Sequence, residues 1–577
     1  MSKQSFRYFV AAAVALLVAV VVSAREYIYP VLNIKRQYTA SYGEMRSNHF
    51  HSGVDIRTDQ VEGKSVVAVA DGFVSRVAYV PRGFGYVLYV THPNKGTMSV
   101  YAHLSRLRSD IAKYLTDARY ASKSNNKNLY PPKELFPVRQ GDVIAYSGNS
   151  GSSSGPHVHF EMRDLVSGFT RNPVRMGVIT PTDTIAPRIL RLRYIVVDTL
   201  EGCSKSRILG SYTPKLINGV YRIDEEVTAG GRGYFVLEVV DNRNNSSNRF
   251  GIYRATMSIN GERKFEYRID KFSFSDTKLC NFVSYPPLQR GARHEVLRLA
   301  RIHPAPKYLY PNSPTNGVIH LAEGAKASVE VAVEDECGNI SKLLFSAQGA
   351  KYQRNSYPVS TAESRLLTGG KEQIVRGEGF RMVVPGDALY EPEYCNTKVV
   401  EAKQIKDSTL VQLSQFYCIF ADDVATNKAV KVAIAAKVPA QYQRHVAVAA
   451  VSAKGGAWSL GGKYRNDSVE VSMRRGGNIV VVADTIAPQI RPLFKSGADM
   501  RKGGELRFSV KDNFSGISSY SLLIDEEWRT LDFHPIKREL VHRFDRALKG
   551  SGVSHNVVLK VADGCGNTAV WRGKILK

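Results

Sequence analysis

Two short stretches concentrate the side chains that could do chemistry. His51-Ser52-Gly53-Val54-Asp55 places an imidazole four residues before a carboxylate, and Gly155-Pro156-His157-Val158-His159-Phe160-Glu161 follows a glycine- and serine-rich turn. Tyr101-Ala102-His103-Leu104 adds a third imidazole between them. Six of the 13 histidines lie between His49 and His159. On a strand, residues i and i+2 share a face, so His157 and His159 point one way while Val158 and Phe160 point into a core. That pairing suits one metal ligand and one neighbour for a metal-bound water. A lone His-x-His pair is more often simply two half-exposed histidines, and it is the company of the other stretches that favours a site. Two histidines and one carboxylate with an open fourth position make a catalytic zinc site, in which the metal activates water and polarises a carbonyl. No His-Glu-x-x-His element supplies a glutamate base, so histidines must move the protons.

The elements that must position these residues read as short strands and tight turns from Tyr27 to about Thr180. Val66–Ala70 leads through Asp71-Gly72, a hairpin signal, into Phe73–Val80. Strands at Tyr86–Thr91, Met98–Leu104 and Asp142–Ser147 follow, with the Gly148–Gly155 turn before the last histidine pair. Ser105–Pro137 is a polar excursion with a short helix predicted at Ser109–Tyr120. Its position between the His103 strand and the strand before the ligand turn suggests a cover over the site.

These elements occur in the order found in the lysostaphin-like zinc peptidases of the M23 type, which cut peptide bonds in peptidoglycan, and the chain resembles that family over about residues 40–175. The resemblance rests on His-x-Gly-x-Asp, Tyr-x-His and Gly-Pro-His-x-His-Phe-Glu. It implies that His51, Asp55 and His159 bind Zn2+, and that His103 and His157 flank the metal-bound water as catalytic groups. His49 falls outside the pattern and reads as a surface or supporting residue. Glu161 shares a face with His157 and His159, so it either orients an imidazole or is a plain surface glutamate. His92, beside Pro93, reads as structural. The long excursion departs from relatives with a shorter connection.

The rest of the chain bounds where this chemistry takes place. At 577 residues it should hold several domains, at about 100–200 residues each. Lys and Arg number 79 against 53 Asp and Glu, a net charge of +26 that favours polyanions. Lys3 and Arg7, the apolar run Phe9–Val22 and Val22-Ser23-Ala24 read as a signal peptide, residues 1–24. A membrane association follows only if that segment is uncleaved. Export to the periplasm or cell envelope makes nucleic acid an improbable partner and an anionic envelope polymer, peptidoglycan, the expected one. The six cysteines, all from Cys203 onward, are too few in so long a chain to form a disulfide scaffold.

Beyond Thr180, Asp183-Thr184-Ile185-Ala186-Pro187 recurs as Asp484-Thr485-Ile486-Ala487-Pro488. Strands ending in aspartate turns recur as Val333-Glu334-Asp335-Glu336-Cys337-Gly338-Asn339 and Val561-Ala562-Asp563-Gly564-Cys565-Gly566-Asn567, with looser versions at Asp241, Asp422-Asp423 and Asp512. Turn-capping explains such aspartates more often than calcium does. The fold expected is mainly β: an antiparallel zinc peptidase domain at 25–180, able to fold alone, then β-sandwich modules. These are a β-sandwich region at 181–350, a β-rich region at 351–483 and an immunoglobulin-like sandwich at 484–577, any of which could dock on an envelope protein partner. The function expected is an exported zinc endopeptidase cutting peptidoglycan stem peptides or cross-links. The alternative is a catalytically silent wall-binding scaffold that regulates another hydrolase.

Overall fold

The computed structural model describes residues 27–577 except 47, 201–202, 290, 303–304, 354–362, 402–403, 422–423, 502, 549 and 551. The signal-peptide segment 1–24 and the Asp422-Asp423 turn lie outside the described residues. No described helix is long and apolar enough to cross a membrane. The chain is mainly antiparallel β, as its alternating patterns predict.

The N-terminal part is built from β1 (Tyr38–Ala40), β2 (Val54–Arg57), β3 (Ser65–Val67), β4 (Gly72–Val80), β5 (Gly85–His92), β6 (Thr97–Leu104), β7 (Arg106–Leu107), helix α1 (Ser109–Ala121), β8 (Lys127–Leu129), β9 (Pro137–Val138), β10 (Val143–Tyr146), β11 (His157–Asp164) and β12 (Thr170–Arg171). The main sheet runs β1-β2-β11-β6-β5-β4-β8, with β9 on β4 and β12 on β11, and β3-β10-β7 form a small second sheet. Val54, Ile56, Val158 and Phe160 are fully buried, so β2 and β11 bury their apolar residues on one face. The opposite face of the same strands is left to carry polar side chains.

Residue 180 is no boundary of packing. The strand Lys271–Phe272 pairs with β12, Thr170 opposite Phe272, and extends the main sheet. Phe272 packs on Tyr42 and Phe50, and one buried apolar cluster runs from Tyr27 to Ala347. Within it, residues 188–350 form two sheets joined by contacts such as Phe235 against Phe345. Residues 373–475 and 410–484 supply two further sheets, of which the strands Ala425–Ala435 and Asn478–Asp484 share a core. The C-terminal sandwich packs the sheet containing Glu505–Lys511 against the one containing Ser554–Asp563 around a separate core.

The excursion Ser105–Pro137 does not cover the site. Helix α1 turns the other way and docks on the C-terminal sandwich, where the buried Arg119 donates from Nη2 to Leu531 O and Asp532 Oδ1, both at 3.0 Å. Around this pair, Phe533 N donates to Tyr79 Oη at 2.8 Å, Leu531 N to Asn125 Oδ1 at 2.7 Å and Tyr86 Oη to Asp532 Oδ2 at 2.8 Å. Tyr120 meets Trp528 edge-on. The excursion read from sequence as a cover over the site because the partners of its helix lie some 400 residues further on.

Candidate metal and catalytic site

Strand register assembles the site. On one side of β11, His159 lies opposite Asp55 of β2; on the other it lies opposite Ala102 of β6, next to His103. His51 reaches the same spot from the turn ahead of β2. Gly53 makes that turn possible, since a Cβ there would lie 2.2 Å from Phe160 O. The result is a triangle of ligand atoms: His51 Nε2 to His159 Nδ1 is 3.0 Å, His51 Nε2 to Asp55 Oδ1 3.1 Å, and His159 Nδ1 to Asp55 Oδ1 2.9 Å. All three side chains are buried.

The outward nitrogens are fixed by hydrogen bonds. His51 Nδ1–H donates to Ser41 O at 2.8 Å, and His159 Nε2–H to Glu161 Oε1 at 2.9 Å. Each ring therefore presents a lone pair to the triangle, the orientation a metal requires of an imidazole. Without a metal, protons held on the imidazoles bridge to Asp55; once those protons are displaced, two imidazole lone pairs and a carboxylate oxygen converge at 2.9–3.1 Å, a donor set that fits a zinc ion. Burial disfavours its charge, yet the imidazoles of His51, His159 and His157 keep the Asp55 carboxyl well below the usual carboxylate range. Arg46 Nη2 donates to its other oxygen at 3.2 Å.

Glu161 is no surface residue. It is fully buried, and although burial opposes its charge, Arg163 and the His159 and Ser52 hydrogen bonds hold its pKa down at about 2. Ser52 Oγ donates to it at 2.6 Å and Arg163 Nε at 2.7 Å.

His103 and His157 stand beside the triangle with ring centroids 4.7 Å apart. His103 Nδ1–H donates to Ser150 O at 2.9 Å and His157 Nδ1–H to Gly155 O at 2.8 Å, which leaves each Nε2 free to face a reacting group. His157 Nε2 is 3.7 Å from Asp55 Oδ1. His103 owes its aim to a β-bulge: between the pairs Tyr86–Leu104 and Leu88–Tyr101, Ala102 and His103 stand opposite Val87 alone. His103 has φ of 60°, a left-handed conformation costing about 1–3 kcal/mol in a non-glycine residue. Burial, followed by the neighbouring His157 and His159, lowers its pKa to about 3, so it is a neutral acceptor at neutral pH.

Of the remaining histidines, His49 is exposed and bonds Asn48, while His92 is buried between Asp71 O and Ser99 Oγ. The sequence marked Ser150 and Gly155 only as turn residues and Ser41 not at all, because all three act through backbone carbonyls that any residue carries. Phe84, stacked on His159 with centroids 5.3 Å apart, was also missed. The site opens into a cleft of about 980 Å³ lined by Ser152–Ser154, Arg46, Arg57 and, from beyond residue 180, Ser246–Arg249.

Residues 49–116, which include His51, Asp55 and His103, match the model of peptidase family M23. The chain carries an M23 peptidase domain. Residues 364–484 match a Zu5-like domain. An uncharacterized metalloprotease of Haemophilus influenzae is 35% identical over 124 residues, 22% of this chain and 20% of that protein. The DD-carboxypeptidase/endopeptidase Mpg of Neisseria meningitidis serogroup B is 31% identical over 138 residues, 24% of this chain and 25% of the relative. The chain thus spans a quarter or less of the length of these relatives. Among solved structures, a zinc-containing peptidase of Vibrio cholerae is 27% identical with TM-score 0.18, covering 24% of this chain and 36% of that one. The catalytic domain of lysostaphin from Staphylococcus simulans is 22% identical with TM-score 0.18, covering 23% and 86%.

Proposed function

We propose that the M23 domain is an exported zinc endopeptidase that hydrolyses peptide bonds in peptidoglycan stem peptides or cross-links. The observation that carries this reading is the convergence of His51 Nε2, Asp55 Oδ1 and His159 Nδ1 with two further imidazoles directed at the same place. In this reading His51, Asp55 and His159 hold Zn2+, which supplies Lewis acidity toward a scissile carbonyl and acidifies water. His103 and His157 are the catalytic residues. The neutral His103 Nε2 accepts a proton from the attacking water, and His157 Nε2–H, when protonated, donates to the developing oxyanion. Ser41 and Glu161 keep the ligand rings in the required tautomers. Arg46, Arg57 and Arg249 along the cleft suit a peptide bearing free carboxylates, as stem peptides do. The curated relative described as a DD-carboxypeptidase/endopeptidase supports the substrate class.

Export rests on the charged and apolar pattern of residues 1–24, with the periplasm or cell envelope as the destination. Limits at 24, 350 and 483 are proposed for the chain's modules, with 180 marking a change in sequence pattern inside a shared core; a proposed envelope protein partner would have to bind surfaces of the C-terminal sandwich other than the one facing α1. The complete set of ligand atoms and their supporting hydrogen bonds favour an enzyme over a silent scaffold. Incubating the full chain with defined muropeptides, with and without a chelator, and weighing the products tests the proposal. Zinc-dependent release of peptide fragments is expected; intact muropeptides alongside stoichiometric zinc would leave the scaffold reading.

A further inference from the structure

His103 is held in its left-handed conformation by groups that the ligand triangle does not supply. Its backbone N–H donates to Phe84 O at 2.8 Å, and its Nδ1–H to Ser150 O at 2.9 Å. Phe84 belongs to the turn at residues 81–84 that joins β4 to β5, and Ser150 to the turn ahead of β11. The two turns are tied to each other. Ser152 N donates to Gly83 O at 2.8 Å, and Tyr86 N, at the start of β5, to Ser150 Oγ at 3.0 Å. The same hydroxyl donates to Leu104 O at 2.6 Å, immediately after the bulge. One side chain thus accepts from β5 and donates to β6 on the two strands that make the bulge, using both capacities of a hydroxyl. Gly85 lets the turns close, since a Cβ there would lie 2.2 Å from Ser150 Oγ. The Phe84 ring, stacked on His159, also meets His103 edge-on with centroids 6.4 Å apart.

The far side of the same turn is gripped by the C-terminal sandwich. Tyr86 Oη donates to Asp532 Oδ2 and accepts from Arg119 Nη1 at 3.0 Å, while Arg543 Nη1 fixes Asp532 at 2.6 Å. Arg82 Nη2 donates to Ile517 O, and its guanidinium lies 5.8 Å from the centroid of the Phe533 ring. Tyr79, at the end of β4, accepts from Phe533 N. Residues 79, 82 and 86 therefore hold the sandwich, whereas the carbonyls of 83 and 84 and the amide of 86 hold the site. A turn tied on both sides has one position, and an acid–base group is effective only within about 2.6–3.2 Å of the proton it moves.

We propose that Ser150 and Tyr86 are positioning residues for His103, through which the C-terminal sandwich sets the activity of the peptidase site. The inference rests on His103 acting as a catalytic residue, as proposed above. Tyr86 carries the grip of Asp532 to its own amide, and Ser150 carries it from that amide to the bulge. Neither residue lines the cleft, so contacts with substrate are spared when either is changed.

The test compares full-length, zinc-loaded Ser150→Ala and Tyr86→Phe with the wild type on a muropeptide, each alone and combined with His103→Ala. In Ser150→Ala kcat should fall by up to about a hundredfold, the loss that displacing a reacting group by about 1 Å can produce, with KM and zinc content unchanged. Tyr86→Phe should show a smaller loss of the same kind. Added to His103→Ala, either substitution should cause no further loss, because a residue acting through His103 then has nothing to position. Hydrogen exchange read by mass spectrometry supplies a measure independent of turnover. Deuterium uptake over residues 99–105 and 148–153 should rise in both variants, with uptake over 54–57 unchanged. If Ser150→Ala fails to fold, Tyr86→Phe makes the same comparison. Wild-type kcat in the variants overturns the proposal, as does a loss that persists undiminished in the His103→Ala background, or exchange that stays at the wild-type level. If the wild type is inactive or His103→Ala turns over normally, the catalytic reading of His103 fails by itself, and the exchange measurement decides whether Ser150 and Tyr86 hold that residue.

Discussion

Neither His103 nor His157 is needed to complete the ligand triangle, and both direct a free nitrogen at it. His103→Ala and His157→Ala should each keep zinc near one equivalent while kcat falls about a hundredfold or more, the usual loss for an acid–base or oxyanion group. Metal analysis beside steady-state kinetics on a muropeptide checks this, and zinc loss in either variant would make that histidine a ligand. Glu161→Gln keeps an acceptor for His159 but removes the charge that makes the ring a stronger donor to metal. Zinc affinity should fall about 10- to 100-fold, measured by competition with a chromophoric chelator, and an unchanged affinity would reduce Glu161 to packing. The residues proposed as ligands could be picked out of the sequence because imidazole and carboxylate at i, i+2 and i+4 spacings carry their chemistry with them, and the structure brings their ligand atoms together. The conformation of His103 was not, because a bulge is set by the count of residues on two paired strands and leaves no mark on either alone.

At the scale of elements, α1 decides what the C-terminal sandwich does. Arg119 and Asp532 form a buried pair, and removing one partner of such a pair typically costs about 3–5 kcal/mol because the other charge is left behind. Arg119→Ala should lower the melting temperature of the full chain by several degrees and raise protease sensitivity between residues 105 and 137, with zinc content unchanged. A melting curve and limited proteolysis read this directly; unaltered curves would show that the contact contributes nothing in solution. The strands of the M23 domain were readable from alternation and turn residues, since burial on one face imposes a period of two. The destination of α1 was not, because an amphipathic stripe states that a face is covered without stating by what.

At the scale of the whole molecule, the core shared across residue 180 changes what truncation should do. A chain ending near Thr180 exposes Tyr42 and Phe50 where Phe272 covered them and loses the bond from Gly251 N to Ser41 Oγ, beside the carbonyl that orients His51. Such a fragment should be poorly soluble or bind zinc weakly, whereas one extending to about residue 350 should keep the core intact. Expression and metal content of the two fragments decide the matter, and a stable, zinc-loaded fragment ending at Thr180 would show the shared core to be dispensable. The same junction carries a pH signature. Glu295 is buried where it accepts from Met45 N at 3.0 Å and Ile252 N at 3.1 Å, and burial raises its pKa from 4.5 to about 7 despite those bonds. The folded chain therefore holds a proton that the unfolded chain gives up, and stability should fall as pH rises from about 4.5 to 7, by roughly 3 kcal/mol from this group. Glu44, also raised to about 7 by burial and by Glu295 among its neighbours, acts in the same direction. Denaturant titrations across that range should show the decline, and Glu295→Gln should flatten it.

The pairing of Arg119 with Asp532 also sets a timetable. The two residues are 413 positions apart, so a ribosome adding about 5–20 residues per second delivers the second some 20–80 s after the first. Throughout that interval α1 lacks its seat on the C-terminal sandwich, and the M23 domain is left with one flank bare. The C-terminal sandwich thus changes the peptidase domain on arrival: a chain synthesised past residue 532 and one stopped short of it differ on the flank of the very domain that carries the histidines.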